Sequence, residues 1–283
     1  MKNSVINYIA ILSISLCPLC FGLEDYALED TLSPHIVNWN HFGLAYSPIS
    51  DHLFLGEGSH GLGYLTEIDL NGNIINKQQV GVGTYSTCYV RDLSFDPSSG
   101  RLFALLTTST GNGYEDHIWE MSTDLQTIYS DISLQQILNN PSYMVTEALH
   151  VNDNGLWIGR NDTNQIMHLS KDYQYLGSGP SETILYSMAG SISGGFLGIE
   201  YKSGIGEKYI YEYDSTLNHI STTAIHETFG VSVESGIRNI ETYQNKMFLS
   251  NNVAIYVLSS PVPEPASLLL LGFGGLTLFR KRK

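Results

Sequence analysis

Leu65-Thr66-Glu67-Ile68-Asp69, Ile118-Trp119-Glu120-Met121-Ser122, Ile166-Met167-His168-Leu169-Ser170 and Ile210-Tyr211-Glu212-Tyr213-Asp214 are four variants of one segment, and Ala254-Ile255-Tyr256-Val257-Leu258 is a shortened fifth. Their starts lie 53, 48, 44 and 44 residues apart. In the four full copies an isoleucine or leucine returns ten residues after the start, at Ile75, Ile128, Leu176 and Ile220. A short apolar run, a polar turn such as Asn71-Gly72-Asn73 and a second apolar run make a β-hairpin pattern. Each copy is therefore expected to be two short strands.

A second strand-turn-strand segment precedes each copy. Its members are Leu44-Ala45-Tyr46 to Leu53-Phe54-Leu55, Leu93-Ser94-Phe95 to Leu102-Phe103-Ala104, and Leu149-His150-Val151 to Leu156-Trp157-Ile158. A degenerate Ile192 to Phe196-Leu197-Gly198 and Ile240-Glu241-Thr242 to Met247-Phe248-Leu249 complete the set. Asp96-Pro97-Ser98-Ser99-Gly100 reads as a tight turn, with proline presetting φ and glycine allowing a left-handed exit. Four short strands per unit of about 47 residues, repeated five times, predict an all-β chain folded as a β-propeller of about five four-stranded blades. Short apolar bursts with frequent turns disfavour helical repeats, and a β-sandwich is the structural rival. The fifth unit stops at Ser260 without an outermost strand. The apolar segment His35–Trp39 is expected to supply it and so hide the open edge.

The composition agrees with turn-rich β structure, with 27 glycines, 18 tyrosines and only 15% charged residues. At 283 residues the chain can bury a substantial core. Nine basic against twenty-seven acidic residues between Leu23 and Pro261 give a net charge of −18, which repels phosphate and argues against nucleic acid as a partner. Cys17 and Cys20 fall in an N-terminal apolar run, so Cys88 alone is expected in the mature body and no internal disulfide can form.

Residues 1–22 have a positive charge at Lys2, an apolar stretch from Val5 to Phe21 and then the acidic Leu23-Glu24-Asp25. This is the layout of a secretory signal, with cleavage expected near Gly22. Leu16 and Leu19 stand where a small residue should precede a lipoprotein cysteine, which makes that alternative weak. At the other end, Val262-Pro263-Glu264-Pro265 is followed by an apolar run to Phe279 and the basic stop Arg280-Lys281-Arg282-Lys283. A helix over the fourteen residues Ala266 to Phe279 would measure about 21 Å, short of the ~30 Å of hydrocarbon, so it spans only marginally. Snorkelling basic side chains would extend it and keep that end cytoplasmic.

This terminus resembles the PEP-CTERM sorting tail, in which a Pro-Glu-Pro box precedes a short membrane helix and a basic stop. The resemblance implies exosortase processing of a chain that signal peptidase has already trimmed, transient anchoring in the inner membrane, and a final place at the cell surface or outside the cell. It also implies a setting of biofilm and extracellular polysaccharide. The expected organisation is a signal over 1–22, a propeller ectodomain over 23–260 and a sorting tail over 261–283.

Gly56-Glu57-Gly58-Ser59-His60-Gly61 matches a dinucleotide fingerprint by letter, but no helix follows, and it reads as a flexible glycine loop. No zinc pair, phosphate loop or serine elbow occurs. The candidate site is the group that stands just before the innermost strands, where a propeller surrounds its central channel: Arg91, Asp92, Glu147 and Arg238, with Glu234 upstream. Such carboxylates and guanidinium groups can take a sugar, a peptide end or calcium, or can serve only as salt bridges between blades. No other cofactor is expected. The function read from the sequence is an exported, non-catalytic binding or structural module with a polysaccharide or matrix ligand. The alternative is an exported hydrolase or lyase that uses the channel.

Overall fold

The computed structural model describes residues 23–34, 41–59, 62–80, 87–109, 114–139, 146–191, 194–200, 208–232 and 236–260. After a 3-10 turn at Leu23–Asp25, strand β1 (Ala27–Leu32) precedes the first repeat. The first four units then each give one blade. These are β2 (His41–Ser47) to β5 (Ile74–Val80) through β3 (His52–Ser59) and β4 (Leu62–Asp69); β6 (Thr87–Asp96) to β9 (Ile128–Ser133) through β7 (Arg101–Ser109) and β8 (Tyr114–Met121); β10 (Thr146–Asn152) to β13 (Tyr175–Pro180) through β11 (Gly155–Arg160) and β12 (Gln165–Leu169); and β14 (Leu185–Gly190) to β17 (His219–Ala224) through β15 (Phe196–Glu200) and β16 (Tyr209–Tyr213). The fifth sheet holds β18 (Asn239–Tyr243), β19 (Lys246–Ser250) and β20 (Ile255–Ser259), and β1 is its outermost strand. All five sheets have four antiparallel strands, as a five-bladed propeller requires.

Closure uses an N-terminal strand, as expected, but a different one. Ala27–Leu32 pairs with β20 from Ala27 opposite Ser259 to Leu32 opposite Ile255. The proposed segment His35–Trp39 lies outside the described residues, and its assigned place is already filled. The reason is burial. The outermost strand of a blade faces water, and β1 is exposed at every position except Leu32. An apolar search therefore favours the wrong segment. The same exposure holds for β5, β9, β13 and β17, whose repeated apolar residues Ile75, Ile128, Leu176 and Ile220 all lie on the surface. In the fourth unit the innermost strand is Leu185–Gly190, ahead of the expected Ile192, which lies outside the described residues.

The apolar core is divided among the gaps between blades. Ala45, Phe54 and Leu65 pack against Val90, Leu93 and Leu102, and Leu105 and Ile118 against Leu149 and Ile158. Ala148 and Trp157 meet Leu185 and Phe196, Leu197 and Ile210 meet Ile240 and Met247, and Leu32, Leu44 and Leu53 meet Phe248 and Ile255. Blade-to-blade burial of alternate residues is what holds a ring without disulfides together, and Cys88 is free and buried. Burial pushes its thiol up to about 12, so it is an inert core residue.

The letters Gly56 to Ser59 form the end of β3 instead of a loop. A Cβ on Gly56 would sit 2.4 Å from Val90 of the next blade, so the glycine serves a close sheet-to-sheet approach. Glu57 is buried there, with Thr66 donating to it at 2.6 Å and Lys77 at 2.8 Å. The Asp96 turn is as expected: Gly100 has φ +68° and its N–H donates to the Asp96 carbonyl at 2.9 Å.

Candidate functional site

The innermost strands β2, β6, β10, β14 and β18 run from the front of the disc to the back. Near the front, a register shift interrupts pairing in four of them, at His41/Gly43, Val90/Asp92, Thr146/Ala148 and Leu185/Ser187. The extra residues are Phe42, Arg91, Glu147 and Tyr186, and Arg238 stands just before β18 in the fifth blade. A bulge re-aims a side chain. Here it gathers the sequence-predicted residues: Arg91 lies 3.7 Å from Glu147, and the Arg238 guanidinium lies 5.1 Å from the Phe42 ring. Burial raises the Glu147 carboxyl above its ordinary range, while Arg91 and Arg238 pull it back down. Three of the five predicted residues thus share the front mouth. Glu234 lies outside the described residues.

Asp92 is in the next layer, fully buried, and is committed to the scaffold. Its Oδ2 accepts the N–H of Leu149 at 2.8 Å and of Met188 at 3.3 Å. Its Oδ1 accepts the N–H of Leu93 at 2.9 Å and the hydroxyl of Ser187 at 3.1 Å. Ser187 in turn accepts the N–H of Ile240 at 3.3 Å. One carboxyl therefore ties together β6, β10 and β14, and through Ser187 also β18. A Cβ on Gly43 would stand 2.9 Å from the Asp92 backbone, so β2 closes against the same knot only because residue 43 is glycine. With these oxygens occupied and Glu147 beside a guanidinium, the set does not suit calcium, which needs six to eight oxygen ligands. Among the described residues no three His, Cys, Asp or Glu side chains are grouped to hold a metal.

The sequence reading missed Asp116. Arg91 Nε donates to Thr107 at 3.0 Å, and Thr107 donates to Asp116 at 2.7 Å. Burial pushes the Asp116 carboxyl up to about 6, against the opposing pull of Thr107, Thr146 and Arg91. It stands one turn of alternation before the Ile118 copy, where a buried aspartate in a strand was the available signal. Replacing Arg91 by methionine keeps the apolar stem but takes from Glu147 the nearer of its two cations and from Asp116 the guanidinium that opposes its burial. The expected cost is about 1–3 kcal/mol, to be read as a lowered urea midpoint.

The described cavity opens at the back. It measures about 330 Å³ and is lined by the ends of all five inner strands, including Tyr46, Phe95, His150, Gly190 and Glu241. Inner-strand residues thus meet at two places, Arg91, Glu147 and Arg238 at the front and the lining of this cavity at the back.

These observations define a closed five-bladed β-propeller whose last blade takes its outer strand from the chain's N-terminal side. After that blade the chain carries a PEP-CTERM protein-sorting motif, matched over residues 261–283, which implies export and membrane-associated sorting. Among solved structures, the chain is similar to the PQQ-bound aldose sugar dehydrogenase of Streptomyces coelicolor at 12% identity and TM-score 0.51, over 83% of this chain and 98% of that one. It is also similar to a protein of unknown function from Bacteroides caccae, at 12% identity and TM-score 0.48 over 75% and 70%. Virginiamycin B lyase from Staphylococcus aureus gives 10% identity and TM-score 0.45 over 83% and 100%. Only the first of these exceeds a TM-score of 0.5, and at 12% identity it supports the fold alone. No curated protein sequence matches the chain.

Proposed function

We propose that the protein is exported, held briefly at the inner membrane by its tail, and passed by an exosortase to the cell surface or extracellular matrix. There the propeller serves as a non-catalytic module that binds a polysaccharide or matrix ligand. The observation that carries this reading is the motif over residues 261–283, in which Val262-Pro263-Glu264-Pro265 precedes an apolar run and four basic residues. A binding role is supported at the front mouth by the commitment of Asp92 to backbone donors, which leaves Arg91, Glu147 and Arg238, with Glu234 as a further candidate, to meet a ligand.

Replacing Pro263, Glu264 and Pro265 together by alanine is expected to trap the uncut chain in the membrane fraction, with the propeller still folded. Immunoblots of fractionated cells check this, and equal release of the wild type and the variant would defeat the sorting role. The second reading, an exported hydrolase or lyase, draws on Asp116, a buried carboxyl pushed up to about 6 beside Arg91, as an acid-base group can be. Turnover of polysaccharides by the wild type, abolished in Asp116→Asn, is the result that would favour it.

A further inference from the structure

The back mouth has a chemistry different from the front. Glu241 and His150 both line it and are both buried, yet among the described residues neither has an ionic partner. Glu241 accepts N–H groups from Thr242, at 2.8 Å, and from Tyr46. Burial pushes its carboxyl up to about 8, so at neutral pH it is a carboxylic acid that can donate as well as accept. Burial pushes His150 down to about 4, so its imidazole is neutral. Its one described hydrogen bond is the Asn152 contact at Nε2, 3.4 Å long, and Nδ1 has no partner among the described residues.

The other charged groups of the cavity are Asp96 and Asp153, at the ends of β6 and β10. Burial alone would raise the Asp96 carboxyl, but hydrogen bonds from Lys171, Ser98 and Ser99 hold it below the ordinary range. Asp153 is exposed, with the same Lys171 at 3.6 Å. Among the described residues no lysine or arginine lines the cavity, and Lys171 behind its rim is taken up by Asp96 and Ser98, so the charge the cavity presents is not cationic.

The walls are aromatic in one part and bare in the next. Tyr46 and Tyr243 lie 5.6 Å apart, and Tyr46 is stacked on Phe248 beneath, which fixes its ring. Beside Tyr243, on the neighbouring inner strand, β14 ends at Gly190, whose carbonyl accepts the Thr242 hydroxyl, and Gly194 follows in the rim. A Cβ on Gly190 would stand 3.3 Å from the His150 ring, whereas one on Gly194 would meet open space. A volume of about 330 Å³ with aromatic walls and a few convergent polar groups has the anatomy of a small-ligand site.

The geometry points to the back mouth as a binding site for one neutral, polyhydroxylated ring, a single saccharide unit, packed on the half-buried Tyr243, which Tyr46 backs from the core, and hydrogen-bonded by Glu241 and His150. A ring of this kind presents hydroxyls that pair with neutral donors and acceptors, and C–H faces that pack on tyrosine. The assignment deepens the proposed saccharide-binding role but does not rest on sorting. Failure here leaves fractionation of the tail variant unaffected, and the converse holds as well.

The test is ligand-observed NMR on the purified full-length protein with D-glucose, D-galactose, D-mannose and N-acetyl-D-glucosamine, and with tetramethylammonium as a cationic probe. At least one sugar is expected to bind in the millimolar range at about pH 6.5, with affinity falling about tenfold or more by about pH 9.5 as Glu241 loses its donor proton. Glu241→Gln keeps shape and a donor, so it should retain binding and flatten that pH dependence. A thermal melt of the same sample confirms that it is folded. Asn152→Leu, at the rim, supplies a second variant and should weaken binding at every pH. Three outcomes would overturn the assignment: no sugar bound by the wild type, an unchanged pH profile in folded Glu241→Gln, or tetramethylammonium bound with affinity that rises with pH.

Discussion

Asp92→Ala is expected to destabilise the propeller by at least about 4 kcal/mol, a loss at the extreme of single substitutions. Three backbone N–H groups and the Ser187 hydroxyl point at this carboxyl in a fully buried layer. Alanine would strand all four donors, each at about 1–3 kcal/mol, and leave a void at the axis. The four terms are not additive, because the strands share one knot and can relax together. Burial holds the Asp92 carboxyl well above its ordinary range, with the four donors opposing.

The sign of the pH effect follows. Between the ordinary carboxylate range and the raised folded value the native state binds the extra proton, so stability from this group is greatest at low pH and falls as pH rises across that window. Asp92→Asn keeps an acceptor and cannot titrate. It should cost less than alanine and lose that slope. Urea midpoints measured at several pH values check both statements, and a midpoint for Asp92→Ala within error of the wild type would refute the knot.

Deleting residues 23–33 is expected to abolish cooperative folding and to produce oligomers or aggregate. The deletion uncovers the pairing edge of β20 over its whole length. It also removes Leu23 and Tyr26 from one inter-blade cluster and Leu32 from another. Two buried leucines are worth about 1.5–3 kcal/mol each, a large share of the ~5–15 kcal/mol that keeps a domain folded. An exposed, unpaired strand edge then recruits other chains. Size-exclusion chromatography and a melting curve give the readout, and a synthetic peptide of residues 23–34 supplied in trans should restore a monomer. A truncated chain that stays monomeric with the wild-type melting temperature would show that β1 is dispensable.

Blade number and the inner three strands of most blades were legible in the sequence because those strands are buried, and burial writes apolar triplets such as Leu53-Phe54-Leu55. The outermost strands were legible only through one repeated residue each, and those residues proved to be exposed. β1, with a single buried side chain, had no such signal at all. In the fourth blade, Leu185-Tyr186-Ser187-Met188-Ala189-Gly190 is broken by polar and small residues, which shifted the expected strand to Ile192.

At the site, Arg91, Asp92, Glu147 and Arg238 could be named because they adjoin inner strands. Their separate fates could not, since a one-residue bulge decides that Arg91 turns aside while Asp92 enters the knot, and a bulge leaves no mark in hydrophobic periodicity. His150 and Glu241 were already on view as the polar centres of Leu149-His150-Val151 and Ile240-Glu241-Thr242. Equivalent centres elsewhere are Ala45, Ser94 and Ala189. An ionisable residue where its counterparts are small was the trace that the back mouth left in the chain.

The pairing of Ala27 with Ser259 puts the first and last turns of the ring side by side. The Ser260 N–H donates to the carbonyl of Asn245, in the turn that follows β18 at the back of the disc. Ala27, the first residue of β1, and Ser260, the last described residue, thus lie on the same side as Glu241. Any tether joined at residue 260 is therefore joined on the Glu241 side, and the Arg91 side is the one left clear of that junction.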